Sequence, residues 1–230
     1  INFINIKWKK NLSDLNNLPG IFLANEFFDA IPIKQFLKKN DLWFERYIQI
    51  SNERKLTYIN KRTNIKSLEK KLKFKISKEQ NFIEFSPQGL KYLNIILKYI
   101  KKNKGGLLII DYGYFSKKMK NTLQAIYKKN YSKILKNLGK SDITYNINFH
   151  LINRIVKKFG QLSTNSTSQK NFLINLGINQ RAEIISKNKS FTQKIDIFYR
   201  LKRLIDDREM GQLFKVMLIK NSKNNFRIGF

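Results

Sequence analysis

The stretch over residues 20–32, G-I-F-L-A-N-E-F-F-D-A-I-P, decides how the rest of the chain is read. It opens on apolar and small residues, and 21–24 reads as a parallel strand buried on both faces. The character then changes within one residue: Asn25, Glu26 and Asp29 follow, interleaved with Phe27 and Phe28. In an open α/β sheet, ligands bind beyond the carboxyl ends of the strands, so carboxylates placed there beside aromatics are candidates for chemistry. A plainer reading also fits the residue types. Asn25 would cap a helix, Glu26 would sit at its positive end, and Asp29 would hold a turn before Pro32.

Working outward, residues 1–19 read as a strand remnant and a polar turn. Residues 33–37 and 43–50 read as antiparallel strands around the turn Lys38-Lys39-Asn40-Asp41, with a third strand over 56–60. The charged stretch 64–80 supports one short helix. Residues 82–85 make a short strand, after which Ser86 is placed to cap a helix with Pro87 at its first position. Leu90, Leu93, Ile96, Leu97 and Ile100 form the apolar stripe of that helix. Residues 107–110 are the next core strand, ending in Asp111, Tyr112, Gly113 and Tyr114. A strand, a crossover and a parallel strand is the pattern of a doubly wound sheet. Beyond it lie an amphipathic helix over 149–158, with His150 in a surface or cap role at its start, and a short strand over 161–165. Two or three helices between 168 and 205 precede a hydrophobic strand over 213–219, with which 226–230 is expected to pair.

The string A-N-E-F-F-D-A-I-P-I is similar to the signature of the MidA family, the S-adenosylmethionine-dependent protein arginine methyltransferases linked to respiratory complex I assembly. Further blocks carry the resemblance in order along the chain. Trp8 precedes the signature. Trp43-Phe44-Glu45-Arg46, Ile83-Glu84-Phe85-Ser86-Pro87 and G-G-L-L-I-I-D-Y-G-Y over 105–114 follow it. N-T-L-Q-A over 121–125 comes next, then Asp142-Ile143-Thr144 with Asn148-Phe149. Gln169, Phe172-Leu173, Leu176-Gly177-Ile178 and Arg181 match another block, and Met210-Gly211 with Phe214-Lys215-Val216 the last. Asn121 and Asn148 stand where the family usually has aspartate, which removes any charge-dependent role at those positions.

The resemblance implies an α/β fold: the C-terminal part of a class I, Rossmann-like methyltransferase sheet, with a small antiparallel β insertion over about 33–85 and a helical C-terminal segment. It also implies that S-adenosyl-L-methionine is the cofactor and that an arginine of a protein substrate, a complex I subunit by analogy, is the methyl acceptor. On this reading Glu26 and Asp29 are the catalytic carboxylates, Glu26 the foremost guanidinium clamp. The backbone at Ala24 and Asn25 meets the methionine part of the cofactor, and Asp111, Tyr112 and Tyr114 line the substrate channel; alternatively Asp111 closes a turn with Gly113 and the tyrosines pack. Glu84 and Gln169 are weighed as structural, Phe27 and Phe28 as core or pocket wall. The chain has no G-x-G-x-G or G-x-G-x-x-G after a strand, the turn that lets a backbone approach such a cofactor. The expectation is therefore of a C-terminal portion of a longer enzyme, whose cofactor-binding half lies upstream. By itself this portion would bind cofactor poorly. The compartment expected is the cytoplasm for a bacterial source and the mitochondrial matrix for a eukaryotic one.

Composition sets the remaining bounds. The net charge is +30 over 230 residues, which by itself suggests a nucleic-acid partner. Against that, only nine of the 46 basic residues are arginine, the better base and phosphate reader, and the lysines are spread along the whole chain. Lys, Asn and Ile are inflated together, as codon bias toward A and T produces. No specific nucleic-acid partner is expected. A noncatalytic assembly module that retains the fold and a basic RNA-associated protein remain the alternative classes. Zero cysteines exclude disulfides and thiolate metal sites, and a single histidine excludes a histidine cluster, so no metal is expected. No apolar run approaches the ~18–20 residues of a membrane helix.

Overall fold

The structure is a computed structural model that describes residues 6–230; the start of the expected strand remnant lies outside the described residues. In chain order the elements are β1 (Gly20–Asn25), β2 (Lys34–Lys39), β3 (Leu42–Ile50), β4 (Leu56–Thr63), α1 (Lys66–Leu72), β5 (Phe82–Phe85), α2 (Pro87–Asn103) and β6 (Gly105–Tyr114). There follow β7 (Gln124–Tyr127), β8 (Asn130–Ser132), β9 (Asp142–Thr144), β10 (Ile147–Asn148), α3 (Phe149–Phe159) and β11 (Leu162–Ser168). The chain closes with α4 (Gln169–Asn175), α5 (Ile178–Ser186), α6 (Phe191–Ile205), α7 (Met210–Leu213) and β12 (Phe214–Asn221).

The main sheet runs β1-β6-β12-β11, with β10 beside the far end of β6. β1 and β6 are parallel, from Gly20 opposite Gly105 to Asn25 opposite Ile110. β12 is antiparallel to both of its neighbours, so one reversed strand is inserted between two that run the same way. This replaces the expected closing pair. Residues 226–230 form no strand, and the Phe230 ring rests 5.1 Å from that of Phe172.

α2 and α3 cover one face of this sheet. Ser86 starts α2 by accepting from Gly89 N–H at 2.9 Å, with Pro87 at the first helical position. Leu93, Ile96, Leu97 and Ile100 are buried against Leu107, Ile109, Met217 and Ile219, whose alternation puts them on the same face. Asn148 caps α3 through Leu151 N–H, and its amide donates to the Ser116 carbonyl at 3.2 Å. An aspartate could cap but not donate, so the amide has its own use here. His150 is half-buried beyond this cap, and burial lowers its pKa.

Residues 34–85 supply a four-stranded antiparallel sheet, β4-β3-β2-β5. Its tight hairpin is the expected one: Asn40 and Asp41 both have positive φ, 46° and 58°, the conformation of a two-residue I′ turn that Asn and Asp tolerate. A three-stranded sheet β8-β7-β9 was not foreseen from the sequence.

The expectation that β1 is buried on both faces is corrected. β1 is the sheet's edge, and Ile21 and Leu23 are 89% and 68% exposed while Ala24 beside them is buried. Phe22 and Ala24 face α2; among the described residues nothing covers the opposite side. A flat edge with an apolar face favours association. The chain at micromolar concentration is expected to self-associate in sedimentation velocity, and Ile21→Lys with Leu23→Lys to shift it to monomer. An unchanged distribution would show that another surface drives association.

Candidate functional site

β6 does not stop at Ile110 but runs four residues further, because β10 and β12 both pair with its last residues. Gly113 makes this possible: a Cβ there would stand 2.5 Å from the Phe149 ring and 2.6 Å from the Ile147 carbonyl. The extension carries Asp111 past the end of β1 and under the segment that follows it.

That segment is a bend, not a helix, so the capping reading of Asn25 does not apply. Glu26 N–H still donates to the Ile110 carbonyl at 2.9 Å, and Glu26 itself turns the chain with φ 46°, a left-handed conformation that costs a side-chain-bearing residue ~1–2 kcal/mol. The next amides then point back at β6. Asp111 Oδ2 accepts from Phe28 N–H at 2.9 Å and Phe27 N–H at 3.2 Å, and Oδ1 from Tyr112 N–H at 2.9 Å. Asp111 is 0% exposed. Burial, reinforced by the charge of Asp29, pushes its carboxyl up to about 7, although the amide donors pull the other way.

Asp29 is 4% exposed, and its Oδ1 has no hydrogen-bond partner. Burial raises its pKa first, then the charge of Glu26. The Asp29 carbonyl accepts from Tyr145 N–H at 3.3 Å, which ties in the segment after β9. Burial raises the buried Tyr145 phenol well above its usual range, with Asp111, Glu84 and Asp29 adding to the effect. Tyr112 also senses this acidic group: burial raises its pKa, followed by Glu26 and Asp29, while Arg203 opposes. Its ring lies 4.1 Å from Phe214. Tyr114 is held apart, its hydroxyl accepting from Lys120 N–H at 3.1 Å.

Of the residues singled out in the sequence, Glu26, Asp29, Asp111 and Tyr112 come together, and Tyr114 points elsewhere. Ala24 is buried opposite Ile109, and Asn25 is exposed at the strand end opposite Ile110. Beside them a cleft of about 580 Å³ is lined by Phe22, Ala24, Phe27, Tyr92 and Ile96 among others. Phe28 is core. Tyr145 was missed, because a tyrosine in a charged, short-stranded stretch carries no periodic signal. Glu84 and Gln169 have structural partners. Glu84 accepts from Gln35 Nε2 at 2.6 Å and from Thr122 N–H at 3.1 Å, and Gln169 donates to the Leu204 carbonyl at 3.0 Å. Asn121 accepts from Gln35 in the same network, a task that needs no charge. Among the described residues no group of three or more His, Cys, Asp or Glu is placed to hold a metal ion, and no helix is long and apolar enough to cross a membrane.

The raised Asp111 pKa makes stability depend on pH. The unfolded chain loses this proton near the ordinary carboxyl value, while the folded chain keeps it up to about 7. Between those values the native state binds more protons, so this contribution is full at low pH and is lost as pH rises through about 7. Urea midpoints are expected to fall more steeply over that window in the wild type than in Asp111→Asn. Equal slopes would place the titration elsewhere.

Likenesses to a protein family, to two relatives and to a solved structure bear on this arrangement. A family model described as S-adenosyl-L-methionine-dependent methyltransferase matches residues 2–167. The Caenorhabditis elegans protein arginine methyltransferase NDUFAF7 homolog, mitochondrial, is 26% identical over 215 residues, 92% of this chain and 50% of that protein. The Xenopus laevis protein arginine methyltransferase NDUFAF7, mitochondrial, is 26% identical over 211 residues, covering 90% and 47%. The chain thus spans about half the length of the curated relatives it matches. A Burkholderia thailandensis crystal structure of a COG1565 superfamily member, bound to S-adenosyl-homocysteine, superposes with a TM-score of 0.77 at 22% identity, over 95% of this chain and 58% of that one. The likeness in fold agrees with the α/β sheet found here. Since the family match covers well over half of the residues and includes the whole carboxylate group, the chain belongs to the family of S-adenosyl-L-methionine-dependent methyltransferases.

Proposed function

We propose that this chain forms the acceptor side of a protein arginine methyltransferase, with the rest of the cofactor site supplied by an upstream half that packs on the bare face and edge of β1. The observation that carries the reading is the Asp29 Oδ1 atom, a buried acceptor with no donor, beside Glu26 at the carboxyl end of paired strands. Buried acceptors without partners are rare, and a guanidinium presents five donors in a planar fork. In a chain of net charge +30, a buried acidic group is a place where a cationic side chain is welcome.

Bound at this site, S-adenosyl-L-methionine supplies an electrophilic methyl on a sulfonium. The chain's own residues do the rest. Glu26 clamps the guanidinium and localises its charge toward one nitrogen. Asp29, whose pKa is already raised, accepts the proton released as that nitrogen gains the methyl. The main chain at Ala24 and Asn25 would hold the methionine part, these residues forming one wall of such a site. Tyr112 stands at the substrate approach, and Tyr114 braces the loop that carries Lys120. By analogy with the mitochondrial relatives, the acceptor is a protein, and a complex I subunit is the first to try. The mitochondrial matrix is the expected compartment for a eukaryotic source and the cytoplasm for a bacterial one.

The test is calorimetric titration of S-adenosyl-L-methionine into the chain extended by its natural upstream coding sequence. Micromolar binding there, with little or none to residues 1–230 alone, is expected. No binding to the extended protein would remove the enzyme reading and favour an assembly module that keeps only the fold.

A further inference from the structure

We propose that Asp111 is a positioning residue for the acceptor carboxylates, a brace from the neighbouring strand that holds the 26–29 bend in its working shape. The inference rests on the reading of Glu26 and Asp29 as the guanidinium site. It assigns Asp111 a different part from the substrate contact expected from its place in the sequence.

The geometry of the bend carries it. Glu26 leaves the sheet with a left-handed turn, and from there neither helix nor strand satisfies the following amides. Phe27 and Phe28 N–H both end on one Asp111 oxygen, at 3.2 and 2.9 Å, while Tyr112 N–H occupies the other at 2.9 Å. The carboxylate is fully buried, so its acceptor positions serve the main chain rather than a ligand. The residues that immediately flank the braced amides, Glu26 and Asp29, are the two carboxylates in question. Removing the brace takes the acceptor from the half-buried Phe27 amide and the buried Phe28 amide, and the bend would open to recover partners from water. Glu26 and Asp29 would then lose their mutual placement while strand β1, held by its pairing with β6, stays where it is.

The experiment compares Asp111→Ala and Asp111→Asn in the chain with its upstream sequence. Amide hydrogen exchange at Phe27 and Phe28 reads the brace directly. Initial rates of radioactive methyl transfer from S-adenosyl-L-methionine into a whole-cell protein extract read its consequence. Asp111→Ala is expected to speed exchange of both amides ~10-fold or more, since local opening needs only these bonds to break. Transfer should fall ~100-fold, the scale of an ångström-sized misplacement, with cofactor affinity within ~3-fold. Asp111→Asn keeps a carbonyl acceptor and should restore both readouts to within ~5-fold. Loss of transfer in Asp111→Asn with both amides still protected would overturn the proposal, because charge rather than bracing would then matter. Fast amides with undiminished transfer in Asp111→Ala would overturn it too. Should Asp111→Ala fail to fold, Asp111→Ser, with one accepting hydroxyl, takes its place and should lie between the other two. If the extended wild type binds no cofactor, the enzyme reading fails, and the exchange data still decide whether Asp111 braces the bend.

Discussion

On the proposed reading, Glu26→Ala and Asp29→Asn in the chain extended by its natural upstream sequence are each expected to lower methyl transfer by ~100- to 1,000-fold, with cofactor affinity changed by no more than ~3-fold. The reason lies in the acceptor. A guanidinium is a poor nucleophile because its charge is delocalised and its pKa exceeds ~12. Attack therefore needs one carboxylate to hold the fork and another to take the proton. Glu26 turns out of β1 at the strand end, and Asp29 is almost wholly buried with one oxygen waiting for a donor. The Asn side chain matches Asp29 in shape but cannot take up the proton, so this variant separates chemistry from packing. Rates near wild type, within ~10-fold for both variants, would place the acceptor elsewhere, since losing a positioned acid or base costs more than that.

Gly113→Ala is expected to destabilise the isolated chain by about 3 kcal/mol, at the upper end for an overpacked core. The added Cβ would stand 2.5 Å from Phe149 and 2.6 Å from the Ile147 carbonyl, and neither can move freely. Phe149 is completely buried, and Ile147 is fixed by its pairing with Gly113 itself. The cheapest relaxation unzips β10 from β6, which would also draw Asn148 off its cap on α3. Urea unfolding followed by far-ultraviolet dichroism measures this. A loss under ~1 kcal/mol would mean that Phe149 repacks without strain.

Parts of this molecule were legible in the sequence because their causes are local. The Asn40-Asp41 hairpin, the Ser86-Pro87 start of α2 and the parallel core strand over 107–110 need only turn chemistry, capping and an apolar run. What the sequence hid depends on distant partners. Ile21 and Leu23 look like core, yet their burial is decided by whatever covers β1. β11, L-S-T-N-S-T-S, begins as the short strand expected over 161–165, but its polar residues run on as strand to Ser168 because β12 offers seven consecutive pairings. β7, β8 and β9 are only four, three and three residues long in a lysine-rich stretch, too short for periodicity to show. In the site, Glu26 and Asp29 were visible as acids after a strand. The bracing of their bend by Asp111 was not, because nothing in an Asp-Tyr-Gly-Tyr string says that the strand continues or which amides it meets.

The bond from Phe28 to Asp111 joins positions 83 residues apart, and that distance has a meaning for synthesis. At roughly 5–20 residues per second, Asp111 leaves the ribosome about 4–17 s after Phe28. The β2–β4 meander needs only neighbours and can form in that interval. The acidic bend cannot, since its amides have no partner until β6 arrives. The meander can thus form first, and the acidic bend only after β6 has emerged. The nascent chain carries Glu26 and Asp29 for seconds as ordinary solvated carboxylates before they become a site.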